Sequence, residues 1–286
     1  MKSLRECIEK ARADRTAIGH FNASNIETIS AIFRAAKKQN TPVIIGFSEG
    51  ERDFFGVRQA VAVVKSIRDE FDFPIFSNAD HTYSFERVKE AIDAGFDAVI
   101  FDGTELLFEE NIRVARKCVR YARASSRDVL VEGELGFIGK SSKVLDSLPV
   151  GVKIGEEFLT KPEEAERFVK ETGVDLLAPA VGNIHGMLAS GLEPALNIER
   201  VKAVRAAAGA SLVLHGASGN TASDIQGAIK AGAAIVHINT ELRVAYRKAL
   251  MLSLQENPDE VAPYKYLKPA MQAVERTVEA KLKIIS

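Results

Sequence analysis

The sequence predicts an α/β protein of the (β/α)8 TIM barrel class. One theme repeats eight times along the 286 residues: a short β-rich run, a polar or glycine-bearing turn, and then a helical pattern. Runs such as PVIIGF, AVIF and SLVL are almost wholly apolar, as in strands covered on both faces of a parallel sheet. This alternation makes each crossover a right-handed βαβ unit, and eight such units close a barrel of roughly 250 residues.

Each element is predicted from its own pattern. Apolar runs that end in polar turns predict strands at residues 17–22, 42–48, 74–80, 98–103, 128–135, 176–182, 211–217 and 233–240. Helical periodicity predicts helices at residues 25–40, 54–71, 84–94, 107–125, 162–172, 198–208 and 222–231. A further segment, residues 241–255, follows strand eight. We therefore expect one barrel domain over residues 1–286, with a C-terminal helical tail from about residue 256.

The connections carry further signals. Ser84 and Thr221 each place a hydroxyl ahead of an acid in the first turn of a helix, which is a capping pattern. The connection at residues 140–159 is long and rich in Ser, Gly and Lys, so we expect a functional flap at the barrel rim. A doubly wound open sheet is the competing fold, but its GxGxxG fingerprint is missing after the first strand.

The composition excludes several classes of function. The formal net charge is -1, with no block of like charge, which argues against a nucleic-acid or membrane-surface binder. The N-terminal segment MKSLRECIEKARADR lacks the apolar core of a signal peptide, and no run approaches the roughly 20 apolar residues of a membrane span. Cys7, in the charged and amphipathic N-terminal segment, lies far along the chain from Cys118, in a predicted helix, so neither a disulfide framework nor a thiolate cluster is indicated. We expect a cytoplasmic protein.

All five histidines stand at, or within about three residues of, the carboxyl end of a predicted strand: His20, His81, His185, His215 and His237. A single histidine there is more simply explained as structural, but active sites of these barrels are built at that rim. Three imidazoles with an open fourth position are a catalytic zinc arrangement. His81, His185 and His215 are the best candidates, because small or turn residues flank each of them.

Small residues at the end of strand seven and just after it form a candidate anion site. They offer backbone amides and a hydroxyl, and the helix that begins at Thr221 points its positive end toward them. Asn239 and Thr240 on strand eight would complete the phosphate site that such barrels keep after strands seven and eight. An ordinary strand-to-helix turn is the alternative. The small residues are Gly216, Ala217, Ser218 and Gly219.

Acidic residues stand at the same strand ends. Asp80 precedes His81, so on a regular strand their side chains diverge, and one can bind metal while the other faces the substrate. Glu132 and Glu134 stand two residues apart and share one face of strand five. Asp102 ends strand four. Asp102 or Glu132 could orient the ligating imidazoles from behind, although buried ion pairs would also explain some of these acids.

Five motifs in this order resemble the zinc-dependent (class II) ketose-bisphosphate aldolases, which include fructose- and tagatose-bisphosphate aldolases. The similarity covers nearly the whole chain, from GHFNASNIET near Gly19 into the tail. Each motif alone would be weak, whereas the ordered set is highly specific. The motifs are NADH at 78–81, VEGELG at 131–136, VGNIHGM at 181–187, VLHGASG at 213–219 and NTEL at 239–242.

The resemblance implies that the three candidate histidines bind a catalytic zinc ion. Asp80 would move the proton of the substrate hydroxyl on the far side of the breaking bond, and Glu134 and Asp102 would be auxiliary ligands or lie behind the ligands. A monovalent cation near the phosphate is a further option. An amine-based aldolase would need a lysine at a strand end, which no predicted strand presents. The implied phosphate-binding residues are Gly186, Gly216, Ser218 and Thr240, and those that touch the rest of the sugar are Asn22 and Ser48.

The chain also departs from the family pattern near the substrate. The loop after strand five reads GKSSKV from Gly139, where the family carries two glycines and two acids. The acid that exchanges the enediolate proton could then be Asp146, Glu156 or Glu157.

Three further replacements concern residues that would contact the sugar phosphate. His237 replaces a typical asparagine and Asn239 an Asp or Ala, and we count both among the substrate-binding residues. Tyr264 replaces an arginine that recognises the distal phosphate, and a phenol cannot supply the bidentate fork of a guanidinium.

We therefore predict an enzyme, a carbon–carbon lyase that reversibly cleaves a phosphorylated ketose to dihydroxyacetone phosphate and an aldehyde. Fructose 1,6-bisphosphate is the default substrate, and a related ketose phosphate is close behind. Two alternatives remain: a non-catalytic sugar-phosphate-binding or partner-stabilising paralogue, and a metal-dependent barrel hydrolase, which would usually show a His-x-His pair on strand one. By analogy with the family, a homo-oligomer, a dimer or tetramer, is expected.

Overall fold

The computed structural model describes residues 2–140, 142–149, 151–153 and 155–286. Eight parallel strands form a closed barrel, in which each strand pairs with the next and the last pairs with the first. This arrangement confirms the (β/α)8 class. The barrel strands, numbered one to eight, are Ile18–Asn22, Val43–Phe47, Ile75–Thr82, Ala98–Phe101, Leu130–Leu135, Leu176–Pro179, Ser211–Leu214 and Ala233–Ile238.

Two strand ends differ from the predicted ones in ways that affect the site. Strand three extends to Thr82, because its pairing with strand four resumes there after a shift in register beyond Ala79. Strand six ends at Pro179 rather than at residue 182. The amide of Val181 then donates to Oδ1 of Asn183, at 2.8 Å, instead of to a neighbouring strand.

Twelve α-helices are present in the described part of the chain, and most of them cover the outside of the barrel. Ser84 and Thr221 cap α5 and α9 as predicted, each accepting a hydrogen bond from a backbone amide of the first turn. The helices are α1 Leu4–Asp14, α2 Ile26–Gln39, α3 Glu49–Phe55, α4 Val57–Phe71, α5 Phe85–Ala94, α6 Phe108–Ala124, α7 Pro162–Thr172, α8 Ile198–Ala208, α9 Ala222–Ala231, α10 Thr240–Glu256, α11 Pro263–Tyr266 and α12 Lys268–Ile285.

The single helix predicted at residues 54–71 is wrong, because the structure has two helices there. Helix α3 begins five residues earlier, after Ser48, whose hydroxyl accepts from the amide of Glu51 while the Glu51 carboxylate accepts from the amide of Ser48. This reciprocal capping box stabilises the helix start. Gly56, at a φ of 96°, then separates α3 from α4, a backbone conformation that favours glycine.

Two layers of apolar side chains build the core. The larger layer lies between the strands and the surrounding helices. The smaller layer fills the amino end of the barrel, where α1 packs Leu4, Ile8 and Ala11 against the first residues of the strands. Cys7 and Cys118 are both buried and free. Because α1 closes the amino end, polar side chains in the barrel gather at the carboxyl end, where such folds carry their chemistry.

The last helices complete the wall of the barrel. α12 packs against α2 and α10 and buries Val274, Val278 and Leu282 in the larger core layer. The amide of Ala17, just before strand one, donates to the carbonyl of Ile285 at 3.1 Å. Among the described residues, no helix combines the length and the apolar character that crossing a bilayer requires. The division into one domain with a C-terminal helical tail stays a prediction.

Candidate active site

Three imidazoles meet at the carboxyl end of the barrel, and we call His81, His185 and His215 the tilted group. Their ring centroids lie 4.7 Å apart for His81 and His185, 5.0 Å for His81 and His215, and 5.8 Å for His185 and His215, with interplanar angles of 80°, 86° and 52°. One nitrogen atom of each ring lies within 4.8 Å of the others. Three imidazole nitrogens that converge in this way match the protein donor set of a catalytic zinc ion.

The second nitrogen of each ring in the tilted group is held by an oxygen atom. Such partners fix the tautomer and the orientation of imidazoles that bind metals. Nδ1 of His215, the nitrogen left over, is buried and has no hydrogen-bond partner among the described residues, as expected of an atom reserved for an ion. The pairs are His81 Nδ1 with Asp102 Oδ2 at 3.0 Å, His185 Nδ1 with Gly139 O at 2.5 Å, and His215 Nε2 with Glu132 Oε1 at 2.7 Å.

Asp80 and His81 do not diverge, contrary to the prediction from a regular strand. Oδ1 of Asp80 lies 3.8 Å from Nε2 of His81. The cause is the register shift beyond Ala79, at which His81 adopts a φ of 36°, in the left-handed region that residues other than glycine rarely occupy. An irregularity of this kind re-aims side chains next to active sites, and here it brings both groups to the same mouth.

His185 lies well beyond the end of strand six rather than within three residues of it. The loop after strand five holds it there instead. The amide of His185 donates to the carbonyl of Ile138 at 2.9 Å. Val144–Leu145 from the same loop pairs with Met187–Leu188, forming a two-stranded sheet beside the histidine. The 140–159 connection therefore supports one of the three candidate ligands. Ser141, Val150 and Ile154 of this connection lie outside the described residues.

Buried carboxylates surround the tilted group. Oε1 of Glu134 lies 3.0 Å from Nδ1 of His81 and 3.8 Å from Nδ1 of His215. Burial raises the pKa of Glu134, and the charge of Asp102 adds to that shift. Burial opposes ionisation of Asp102 as well, but the hydrogen bond from His81 lowers the pKa of Asp102. Burial raises the pKa of Glu132, although its hydrogen bond with His215 opposes that shift.

The other two histidines, His20 and His237, form what we call the stacked pair. Their ring centroids lie 3.5 Å apart at an interplanar angle of 2°, and His237 in turn lies 4.0 Å from His215. Nδ1 of His237 lies 3.7 Å from Oδ1 of Asp80. Both nitrogens of His20 and Nε2 of His237 are buried without hydrogen-bond partners in the described part of the chain. Burial lowers the pKa of His20 to about 4, which keeps the ring neutral.

A cavity of about 310 Å³ opens above the tilted group. Most of the predicted site residues line it, whereas His215, Asp102, Glu134 and Ala217 do not. Both acids lie behind His81, within 3.0 Å of its Nδ1. The predicted residues in the cavity wall are Asn22, Ser48, Asp80, His81, His185, Gly186, Gly216, Ser218, His237, Asn239 and Thr240.

The candidate anion site after strand seven has fewer free backbone amides than predicted. The amide of Ala217 donates to the carbonyl of His237 at 3.1 Å, and the amide of Gly219 donates to Oε1 of Glu241 at 2.8 Å. The prediction that these two amides face an anion is therefore wrong, because protein oxygens already bind them. Gly216 and Ser218 remain in the cavity wall, and Gly216, at a φ of 60°, adopts the conformation that glycine tolerates.

Sequence reasoning did not identify several residues of the cavity wall. They are Glu49, Gly50, Tyr83, Lys140, Ser142, Lys143 and Arg243. One signal was available, because the segment Ser48–Glu51 reads SEGE, a capping box that would have placed a helix start at the mouth. None of the three acids that we considered for the loop role, Asp146, Glu156 and Glu157, lies among the described residues of this cavity wall. Glu156 pairs with Arg200 at 2.8 Å instead.

A closed parallel barrel with titratable groups collected at its strand ends defines a barrel enzyme with its active site at that end. Comparison with known proteins gives the family. The family description "Fructose-bisphosphate aldolase class-II" matches residues 2–286. The chain belongs to this family, and the protein is an aldolase, a carbon–carbon lyase.

Individual relatives agree over nearly the full length. The chain is 37% identical over 284 residues to a fructose-bisphosphate aldolase of Staphylococcus epidermidis, covering 98% of this chain and 96% of the relative. It is 37% identical to a fructose-bisphosphate aldolase of Geobacillus stearothermophilus, with 98% and 95% covered. Among solved structures, the YdjI aldolase of Escherichia coli K12 superposes with a TM-score of 0.82 at 32% identity, covering 99% of this chain and 97% of that one.

Proposed function

We propose that the protein is a zinc-dependent aldolase that reversibly cleaves a phosphorylated ketose to dihydroxyacetone phosphate and an aldehyde. Fructose 1,6-bisphosphate is the first substrate to test, since the curated relatives carry that activity in their names. The observation that carries the proposal is the tilted group, whose outer nitrogens are all held by oxygen atoms. An anchored set of three imidazoles is what a catalytic metal needs.

In this proposal His81, His185 and His215 hold the zinc ion, and Glu134 and Asp102 act as auxiliary ligands or as supports behind them. When bound, the ion supplies a Lewis acid for the negative charge that develops on the ketone oxygen during cleavage. Glu134 fits either role, because its Oε1 lies 3.0 Å from the outer Nδ1 of His81 and 3.8 Å from Nδ1 of His215, the ring nitrogen left free for the ion.

Asp80 is the proposed base for the hydroxyl proton on the aldehyde side of the breaking bond. Its Oδ2 accepts from Nδ2 of Asn22 at 2.8 Å, whereas its Oδ1 is buried without a partner in the described chain. In the metal-free protein, burial opposes ionisation of Asp80, but the neighbouring charge of His81 lowers its pKa, so the group is a carboxylate. Its unpartnered Oδ1 is then the atom available to accept a proton.

The remaining wall residues divide between the two ends of the sugar. We assign the phosphate of the dihydroxyacetone phosphate half to the side of strands six to eight, with room for a monovalent cation nearby. Asn22, Ser48 and His237 would contact the rest of the sugar, because they lie at the ends of strands one, two and eight. The proposed phosphate residues are Gly186, Gly216, Ser218, Asn239 and Thr240.

The direct test is cleavage of a panel of ketose phosphates before and after chelation, followed by reconstitution with Zn²⁺. We expect activity on at least one ketose phosphate, its loss after chelation, and its return with zinc. Activity that is indifferent to metal removal would contradict the zinc proposal, and absence of activity on the whole panel would favour the non-catalytic alternative. Family membership already favours the enzyme. A homo-oligomeric, cytoplasmic enzyme is part of the same proposal.

A further inference from the structure

Helix α3 carries two adjacent buried residues of opposite charge at the mouth of the barrel. Glu51 is 7% exposed and Arg52 is 1% exposed. Burying a charged group is costly unless hydrogen bonds satisfy it. Both residues have hydrogen-bond partners that satisfy their charges. Through those hydrogen bonds, each residue is connected to Asp80.

Glu51 reaches the carboxylate of Asp80 through one intermediary, Asn22. Nδ2 of Asn22 donates to Oε2 of Glu51 at 2.9 Å and to Oδ2 of Asp80 at 2.8 Å. An amide nitrogen has two hydrogens, so two carboxylates fix the orientation of this amide completely. Glu51 is fixed in turn, because Oε2 also accepts from the amide of Ser48 at 2.8 Å and Oε1 accepts from Arg243 at 2.5 Å.

Arg52 holds the backbone of the same residue. Its Nη1 donates to the carbonyls of Phe47 and Asp80, the latter at 3.0 Å, and its Nη2 donates to Oγ1 of Thr82 at 3.0 Å. Asp80 and Thr82 flank His81, whose left-handed conformation interrupts strand three. The rigid fork of a guanidinium suits this task, because it spans both sides of the irregularity at once.

We propose that Glu51 and Arg52 are positioning residues for Asp80. Glu51 orients the carboxylate through Asn22, and Arg52 holds the backbone that carries it. With Oδ2 bound to Asn22, Oδ1 is the oxygen left to accept the substrate proton. This inference rests on the proposed function, in which Asp80 is the base. A base must lie within hydrogen-bond reach of the proton that it takes, so a carboxylate that swings freely loses rate.

The first test is Glu51→Ala in the zinc-loaded enzyme. We expect kcat for ketose-phosphate cleavage to fall about tenfold with little change in KM, the usual scale for loss of an outer supporting partner. Exchange of the carbon-bound hydrogen of dihydroxyacetone phosphate with solvent deuterium should stay within about twofold, because this step does not use the hydroxyl that Asp80 deprotonates. Glu51→Gln retains an acceptor for Asn22 and should recover most of the cleavage rate.

The matched control is Asp53→Asn on the same helix. The Asp53 side chain is 64% exposed and pairs with Arg87 at the surface. This variant also removes one carboxylate from α3, but it leaves Asn22 and Asp80 untouched. We expect its cleavage and exchange rates to match those of the wild type.

A double-mutant cycle separates positioning from general damage. If Glu51 acts through Asp80, then adding Glu51→Ala to the Asp80→Asn variant should lower kcat for cleavage almost no further. An equal loss in both backgrounds, or a parallel fall in the exchange reaction, overturns the inference. If Glu51→Ala does not fold, Asn22→Ala removes the intermediary itself and must show the same coupling to Asp80→Asn.

Arg52→Lys tests the second arm. Lysine keeps the charge but cannot span Asp80 and Thr82, so we expect lower zinc affinity together with slower cleavage and slower exchange, because His81 loses support as well. Unchanged zinc affinity and rates contradict the role of Arg52.

Failure of the proposed function and failure of this inference give different results. A wild-type enzyme that cleaves no ketose phosphate overturns the proposed function and this inference with it. An active wild type with an unaffected Glu51→Ala variant overturns this inference alone.

Discussion

The tilted group and the stacked pair lie next to each other at the carboxyl end of the barrel, yet they are built differently. The rings of the tilted group meet at steep angles, and an oxygen atom holds the outer nitrogen of each one. The rings of the stacked pair are parallel at 3.5 Å, and three of their nitrogens have no partner among the described residues.

The difference shows how geometry distinguishes a candidate metal site from another cluster of the same residue type. The nitrogen lone pair of an imidazole lies in the plane of its ring, so rings that meet at an angle can aim at one point. Stacked rings lie in separate parallel planes, so an ion in the plane of one ring lies outside the plane of the other, and the two lone pairs cannot converge on it. His20, Asp80 and His237 also have potential ligand atoms within 4.8 Å of one another, but this proximity alone does not make a site. Outer partners and convergent rings distinguish the tilted group.

The largest expected effect comes from removing one histidine from each group. His215→Ala should abolish stoichiometric zinc binding and lower kcat/KM by about 10³-fold or more, because an open three-ligand site cannot lose a ligand and keep its ion. His237→Asn should retain zinc, measured by metal analysis of the purified protein. Equal zinc loss in both variants would mean that the tilted group and the stacked pair do not differ in metal binding.

An intermediate effect is expected from the outer partners of the tilted group. Glu132→Gln replaces the carboxylate that accepts from Nε2 of His215 with an amide. Zinc affinity should fall by about 10- to 100-fold, the usual cost of losing such a partner. A competitive chelator titration measures this change. An affinity equal to that of the wild type would show that the outer oxygen does not support the ring.

The smallest expected effect is the change with pH in the contribution of the stacked pair to the free energy of unfolding. Burial lowers the pKa of His20 from 6.5 to about 4, so between these values the unfolded chain binds the proton that the folded protein excludes. Stability contributed by the neutral ring is therefore lost as pH falls. For metal-free protein, His20 alone should lower the free energy of unfolding by about 2 kcal/mol between pH 7 and pH 5.

Urea unfolding at several pH values tests this expectation. The loss of stability on acidification should be smaller in His20→Gln than in the wild type, because glutamine does not titrate. Identical pH dependence in the two proteins would mean that His20 does not have a lowered pKa, and the contrast with the tilted group would then rest on geometry alone.

Much of this site could be predicted from the sequence, because a barrel brings strand ends together whatever the details of its loops. Apolar runs locate the strands, and the five histidines at their ends then have to meet at one rim. The two carboxylates of strand five also share a face as predicted, since side chains alternate along a regular strand. Both Glu132 and Glu134 contact rings of the tilted group.

Irregular backbone could not be predicted in this way. The alternation of side chains between the two faces of strand three fails at His81, because the pairing with strand four shifts register there. The two-residue period of the sequence carries no information about such a shift. His185 is placed by backbone hydrogen bonds to a different loop, which leave no mark in the residues near it. The capping box is the one sequence signal for the start of helix α3, because the apolar periodicity that follows runs across Gly56 and predicts one longer helix.

The barrel, its rim and the residue types gathered there follow from the order of residues along the chain, because burial and periodicity act locally along each strand. The folded arrangement sets which imidazoles converge, which stack, and which oxygen of Asp80 is left free. Those outcomes depend on hydrogen bonds between residues far apart in the chain, such as Asn22 with Asp80 and His215 with Glu132. Their angles are set only when the sheet closes and strand one lies beside strand eight.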